Sequence, residues 1–396
     1  MALAQRSFSR FASIITRANA RNYSASSITT SEEDIQKSVF ISQSKDIFTN
    51  LALEDWLYHN FDFKNHHVLM LWQNNPCVVV GRHQNPWLEA NILQLPSITE
   101  EGVQLARRNS GGGTVYHDNG NLNLTFFTSR EHYNRKYNLE IIARALFREY
   151  GINVEISPRE DLLLNTFKQI SGTAAKLGRP NAYHHCTLLV NANKIDLSLA
   201  LQKQNVEIKT NATKSERSKV MNLCEAEPNV DIMKLMTAVG WEYMRTPALT
   251  LMDGGTELAN KQKGFQMINP TEDWFPGLNK IREQLTSWEW CYGKTPKFNI
   301  SKSFKVPDCL VNGHGECEDL KVTMVVDQGK INDITLFIPS GLLFDGSSGN
   351  VDMLRSLVGH RFTEEALNSL ENLLNDLVSD KEKFVTECVK QVMRTV

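Results

Sequence analysis

The sequence predicts an α+β protein: a large mixed-sheet domain followed by a small C-terminal α+β domain. Extended runs between residues 68 and 190 are interrupted by only a few helical stretches, which fits a mixed sheet better than regular βαβ alternation. Turn-forming residues crowd at Asn269-Pro270-Thr271 and Phe275-Pro276-Gly277, and beyond about residue 297 a second pattern begins, of alternating strands closed by helices. With 396 residues, 41% of them hydrophobic and 22% charged, the chain is long enough for two domains and has a folded protein's composition.

Taken in order, residues 1–31 contain no Asp or Glu, and Arg6, Arg10, Arg17 and Arg21 are spread among Ser, Ala, Phe8, Phe11, Ile14 and Ile15. That is transit-peptide composition; the arginines interrupt the apolar run of roughly 7–15 residues that a secretory signal needs. Arg21-Asn22-Tyr23-Ser24-Ala25 resembles a mitochondrial processing site, so the expected compartment is the mitochondrial matrix. Residues 47–61 space Ile47, Leu51 and Trp56 as one face of a helix, and 68–73 and 77–82 read as strands. Residues 88–95 read as helical, 103–108 as extended, Gly111-Gly112-Gly113 as a turn, and 114–117 and 122–128 as strands. Leu139, Ile142, Ala145, Leu146 and Tyr150 form a helical stripe over 138–150 that Gly151 ends. Strands are expected at 154–157, 162–164, 169–171 and 184–190, a polar basic segment at 214–219, and an amphipathic helix at 230–243. The second pattern comprises strands at 298–304, 320–326 and 331–338 and helices at 364–378 and 381–393.

Composition excludes several functions. Lys and Arg total 43 against 45 Asp and Glu, so no whole-chain positive field exists to hold nucleic acid, and any anion site must be local. The 7 cysteines form no CxxC pair and read as reduced thiols. Apolar runs such as Val68-Leu69-Met70-Leu71-Trp72 fall far short of the roughly 20 residues that span a bilayer, so no membrane insertion is expected. No spacing of His, Cys, Asp and Glu suits a metal, and Tyr292-Gly293-Lys294-Thr295 lacks the first glycine of a P-loop because Trp288 stands there.

The sharpest local feature is Arg107-Arg108-Asn109-Ser110-Gly111-Gly112-Gly113-Thr114-Val115-Tyr116-His117-Asp118. Consecutive glycines between two strands let a ligand approach unshielded backbone N–H groups, and the two arginines offer charged donors to the same anion. A second cluster, Lys168-Gln169-Ile170-Ser171-Gly172, follows an apolar strand, and its lysine has the compact charge that neutralises a phosphate or carboxylate. His184 and His185 point to opposite faces of a strand, so they cannot form a metal pair and one belongs to the core. Cys186, in the same apolar run, reads as a packed thiol rather than a nucleophile.

These motifs, together with Gly81-Arg82-His83-Gln84-Asn85-Pro86-Trp87 and the later Trp288-Glu289-Trp290, resemble the lipoate-protein ligases, and more closely that family's mitochondrial lipoyltransferase branch. The resemblance covers nearly everything after residue 40. It implies a large domain of the biotin- and lipoate-protein-ligase kind over 32–280, which performs lipoyl transfer, and a small accessory domain over 281–396. The substrate-binding residues it implies are Arg82, Arg108, Gly112, Gly113, Thr114, Val115, Tyr116, Arg159, Asp161, Ser171 and Thr187. The family's lysine just before the Ile/Val-Ser-Gly step is replaced here by Gln169, with Lys168 one residue earlier. A bulge after the Asn165-Thr166 turn would bring Lys168 into the pocket as the catalytic ammonium; strict strand alternation would bring Gln169 instead.

The implied reaction moves a lipoyl group from lipoyl-AMP, or from the lipoylated glycine-cleavage H protein, to a lysine of the lipoyl domains of 2-oxoacid dehydrogenase acyltransferase subunits. No tightly bound cofactor is expected. The alternatives are a complete ligase, which would also use ATP and Mg²⁺, and a non-catalytic binder of lipoyl-AMP.

Overall fold

The computed structural model describes residues 35–165, 167–202, 207–310, 319–339, 342, 357–363, 366 and 380–394. The chain begins with β1 (Gln36–Ser42), α1 (Ile47–Asn60), β2 (His66–Trp72), β3 (Cys77–Val80), α2 (Pro86–Glu89), α3 (Leu95–Ile98), β4 (Gln104–Arg107), β5 (Val115–His117), β6 (Asn121–Ser129) and α4 (Arg135–Tyr150). It continues through β7 (Glu155–Ile156), β8 (Leu162–Leu164), β9 (Lys168–Gln169), β10 (Thr173–Leu177), β11 (Asn181–Leu189), α5 (Lys194–Ala200), β12 (Glu207–Thr210), α6 (Ile232–Arg245), α7 (Gly255–Lys261) and β13 (Gly264–Ile268). The described C-terminal elements are α8 (Leu278–Thr286), α9 (Trp288–Cys291), β14 (Phe298–Phe304), β15 (Leu320–Asp327), β16 (Lys330–Phe337) and α10 (Asp380–Arg394).

The main sheet has six strands in the order β10-β11-β6-β2-β1-β13. It is mixed, because β1 runs parallel to β2 and β13 while β2, β6, β11 and β10 pair antiparallel. Both faces are covered, which explains why β2 is apolar almost throughout instead of alternating. Leu69 and Leu71 join the core under α4 and α6, whereas Val68, Met70 and Trp72 join the core under α1 and α8. The stripe of Leu139, Ile142 and Leu146 on α4 faces the first of these cores, and Gly151 ends the helix in the left-handed conformation at φ 67°. Asp46 caps α1 by accepting from Thr49 N at 2.9 Å, and Arg282 of α8 reaches the same carboxylate at 3.0 Å.

Two small sheets build the site beside this frame. In one, β3 lies parallel to β4 and antiparallel to β5; in the other, β7, β8 and β9 pair antiparallel. A four-stranded antiparallel sheet, β12-β14-β15-β16, carries the third core, where Val322, Met324 and Val326 meet Val385, Val389 and Val392 of α10.

The α+β class holds, and several details differ from the sequence reading. The helix expected at 88–95 is two short ones, because Pro96 can begin a helix but not continue one, and Ala90 is extended at φ −132°. The second sheet takes its edge strand β12 from before the punctuated region, while Phe275, Leu278, Leu285 and Trp290 still pack in the main-sheet core. The expected strand at 169–171 is β9, one residue earlier and two long. The helix at 381–393 is found as α10; the helix at 364–378 and the transit segment at 1–31 lie outside the described residues. Among the described residues no helix is long and apolar enough to cross a membrane.

Candidate active site

The last residue of strand β4, Arg107, and the next residue, Arg108, whose N–H still bonds Val80 O at 3.1 Å, point to opposite sides, as extended backbone requires. Arg107 is fully buried and turns away from the cavity described below. It donates to the carbonyls of Gly81, Arg82 and Gln84 on one side, and to those of Trp290 and Cys291 and to Thr295 Oγ1 on the other. It is a stitch between the Gly81 turn and the α9 segment, so the expectation that both arginines serve one anion is corrected to Arg108 alone. Arg108, 3% exposed, donates through Nε to Ser110 Oγ (2.9 Å), through Nη1 to Val79 O (3.0 Å), and through Nη2 to Gly111 O (2.7 Å) and Gly113 O (2.6 Å). Burial pulls both guanidinium groups down to about 10, which leaves them charged at neutral pH. One of the five N–H groups of Arg108 has no described acceptor, so it both shapes the glycine loop and retains a donor.

Gly81 and Gly112 are needed for the close approach of their two turns. A Cβ on Gly81 would lie 2.2 Å from Gly112 O, and Gly112 itself has φ +89° with Arg108 Nη2 at 3.1 Å from its Cβ position. On the outer side, Ser215 Oγ accepts from Thr114 N (2.8 Å) and Gln84 Nε2 (2.9 Å), while Thr114 Oγ1 donates to Gln84 Oε1 (2.8 Å). A segment about a hundred residues downstream thereby clamps the loop.

The loop closes one side of a cavity of about 940 Å³. Its floor is the main sheet, where Trp72, Asn123 and Thr187 stand in register across β2, β6 and β11. Thr187 Oγ1 accepts from Gly172 N (2.9 Å), and Ser171 Oγ accepts from Leu162 N (2.8 Å), so both hydroxyls order the rim backbone. Five cations line the cavity (Arg108, Arg159, Lys194, Lys214 and Arg217) against three carboxylates (Glu89, Asp161 and Glu216). Arg159 pairs with Glu216 and Lys194 with Glu225, whereas Lys214 and Arg217 make no ion pair among the described residues.

Buried neighbours set the titration of the wall. Burial raises the carboxyl of Asp161 above its usual value, and raises the thiol of Cys186 and the phenol of Tyr116 well above theirs. Burial pulls His117 down to about 3, so its imidazole is neutral. Its tautomer is fixed as well. Asn50 Nδ2 donates to the Ser44 and Gln73 carbonyls and to Asn74 Oδ1, which leaves Asn74 Nδ2 to donate to His117 Nδ1 at 2.9 Å. The proton of His117 is therefore on Nε2. Among the described residues no cluster of three or more metal-ligating side chains forms.

The lipoyl protein ligase A/B catalytic domain matches residues 46–243. The mitochondrial lipoyl amidotransferase LIPT1 of Homo sapiens is 40% identical over 360 residues, 89% of this chain and 91% of that one. Its Mus musculus counterpart is 44% identical over 300 residues, 75% of each chain. Among solved structures, P. falciparum LipL1 in complex with lipoate superposes with a TM-score of 0.53 at 25% identity, covering 90% of this chain and 99% of that one. The chain belongs to the lipoyl protein ligase A/B family. It is a mitochondrial lipoyltransferase.

Most of the residues singled out from the sequence of this lipoyltransferase converge on the one cavity. Arg108, Gly112, Gly113, Thr114, Val115 and Tyr116 line the loop side, and Arg159, Asp161, Gln169, Ser171 and Thr187 the opposite side. Two do not. Arg82 is exposed and turned outward, with its guanidinium on Asn109 Oδ1 (3.0 Å) and over the Trp290 ring at 5.5 Å. Lys168 also lies outside the lining. Leu164 pairs with Lys168 and Leu163 with Gln169 without a register shift, and Asn165 takes the left-handed turn position at φ 51°. The pairing of β8 with β9 holds no bulge to redirect the lysine, and Gln169 is the one that lines the cavity.

The sequence reading missed Gln84, although it lies inside a quoted motif, and it missed Ser215, Lys214 and Arg217, whose segment was noted only as polar and basic. It also missed α5, whose signal was Asn193: this side chain caps the helix by accepting from Ile195 N and Asp196 N. Of the histidine pair, His184 is buried beside Phe126, while His185 lines the cavity.

Proposed function

We propose that the enzyme transfers lipoyl from lipoyl-AMP, or from the lipoylated glycine-cleavage H protein, to one lysine of the lipoyl domains of 2-oxoacid dehydrogenase acyltransferase subunits. The observation that carries the reading is the meeting, in one cavity, of the Arg108-braced glycine loop, an apolar wall and a surplus of cations. Leu51, Val79, Val115 and Leu189 suit the aliphatic chain and ring of a lipoyl group. Lys214 and Arg217, which make no ion pair among the described residues, suit an anionic leaving group such as AMP.

The acceptor lysine Nζ attacks the acyl carbon and the new amide C–N bond forms; from lipoyl-AMP the acyl C–O bond breaks, AMP leaves as its phosphate anion and the amine's proton passes to solvent, whereas from the H protein the old amide C–N bond breaks and that proton goes to the departing lysine amine. The activation already resides in the acyl-adenylate, so the chain has to bind, orient and stabilise charge. No protein nucleophile is required, in keeping with the protonated state of the Cys186 thiol. No tightly bound cofactor enters this scheme.

The test is transfer to an apo lipoyl domain from synthetic lipoyl-AMP and, separately, from lipoylated H protein, read by intact mass. Transfer from neither donor refutes the proposal. Lipoate-dependent exchange of pyrophosphate into ATP would mark the chain as a complete ligase instead.

A further inference from the structure

Behind the glycine loop, four side chains from three separate segments join end to end. Glu54 of α1 is 2% exposed and lies outside the cavity lining. Its Oε2 is 2.9 Å from His185 Nδ1 on β11, His185 Nε2 is 2.9 Å from Ser110 Oγ, and Arg108 Nε donates to that same oxygen at 2.9 Å. A guanidinium can only donate and an ionised carboxylate can only accept, so Arg108 Nε donates to Ser110 Oγ and His185 Nδ1 donates to Glu54 Oε2. Between them the Ser110 hydroxyl keeps both a lone pair and a proton with which to meet His185 Nε2 in either protonation state.

We propose that Glu54 is a positioning residue for lipoyl transfer: acting through His185 and Ser110, it fixes the Arg108 guanidinium, and with it the Gly111 and Gly113 carbonyls that shape the donor-binding loop.

Two further contacts support this. Thr125 Oγ1 donates to the same Glu54 oxygen at 2.9 Å and accepts from Trp72 Nε1 at 3.1 Å, so one carboxylate braces both the loop and the sheet floor of the cavity. Asp55, the next residue on α1, accepts from Asn109 Nδ2 at 2.9 Å. Consecutive acids on one helix thus hold the consecutive residues that enter the loop, Asp55 directly on Asn109 and Glu54 through His185 on Ser110. Burial pushes the Glu54 carboxyl up, but the field and hydrogen bond of His185, helped by Thr125, outweigh it and hold the group below its usual value, in its ionised form.

The inference rests on the reading of the Arg108 cavity as the donor site. It is tested in the full-length enzyme with Glu54→Gln, Ser110→Ala and the double variant, measuring kcat, KM for lipoyl-AMP and KM for the apo lipoyl domain. Each single variant is expected to lose about tenfold in kcat/KM for lipoyl-AMP with KM for the acceptor domain unchanged. The double variant should be no worse than the weaker single one within about twofold, because both changes cut the same line. Losses that multiply in the double variant, or Ser110→Ala within twofold of wild type, overturn the proposal. Arg108→Ala is run in parallel. If it transfers normally, the cavity reading and the relay fall together; if it is inactive while Ser110→Ala is not impaired, the relay alone falls. Thermal melts accompany every variant. Should Glu54→Gln not fold, the same cycle is read from His185→Gln with Ser110→Ala.

Discussion

Exchanging Lys168 and Gln169 for alanine one at a time separates two accounts of the charge at the reacting centre. Gln169 lines the cavity, and its Nε2 donates to Ser171 O on the rim. A neutral hydrogen bond of this kind contributes about 0.5–1.5 kcal/mol, so Gln169→Ala is expected to lower kcat/KM for lipoyl-AMP by roughly 2- to 13-fold. Lys168 is half-buried outside the lining, and the carboxyl of Glu225 feels its charge. A charge–charge interaction at such a surface, short of an ion pair, is worth at most about 0–1 kcal/mol and acts on stability, so Lys168→Ala should leave transfer within roughly twofold of wild type. Gln169→Lys places an ammonium in the cavity and should lower KM for the anionic adenylate. The assay is single-substrate kinetics of transfer from lipoyl-AMP to an apo lipoyl domain, with a melt for each variant. A tenfold or greater loss in Lys168→Ala, with Gln169→Ala at wild-type rate, would refute the register argument and return the lysine to the site.

Arg107→Ala should cost about 3–5 kcal/mol of stability, since it strands the buried carbonyls of Gly81, Gln84 and Cys291, and calorimetry should record a fall of roughly 4–6 °C in Tm; a Tm within 2 °C of wild type, as a rough threshold set by the same scaling, contradicts the stitch. His117 has a folded-state pKa depressed to about 3, so its contribution is complete above the unfolded value near 6.5 and is lost as pH falls toward 3. Urea midpoints between pH 7.5 and 4.5 should therefore decline below about 6.5, with a slope shallower by up to about 1.4 kcal/mol per pH unit in His117→Gln; identical slopes count against a buried neutral imidazole. Sequencing of the organelle form should begin about two dozen residues in, as the acid-free arginine-spaced leader predicts, and an intact Met1 would refute import with cleavage.

The elements most legible in the sequence are those whose pattern is local. The stripe on α4 with Gly151 behind it, the strands around the glycine turn and the alternating strands of the second sheet all follow from periodicity and turn chemistry. So does the core of the site, because the glycine run between strands contains Gly112, whose left-handed backbone at φ +89° favours glycine. What escaped the sequence depends on contacts far apart in the chain. Ser215 reaches Thr114 across 101 residues, Glu54 reaches His185 across 131, and β12 joins a sheet whose other strands begin at Phe298. The displaced lysine and the paired arginines are a different matter, because there a local rule was available. Adjacent residues on a strand face opposite sides, so Arg107 and Arg108 could not both serve one anion, and Lys168 and Gln169 could not both enter one pocket. In the first pair alternation frees one arginine to staple α9 while its neighbour holds the loop. In the second it leaves the cavity without a charge at the position where an ammonium was expected, and two of the cations that line it, Lys214 and Arg217, come from the segment that also clamps the loop through Ser215. Charge and loop closure in this enzyme are therefore supplied together by one stretch of chain, and a perturbation that lifts that stretch should remove both.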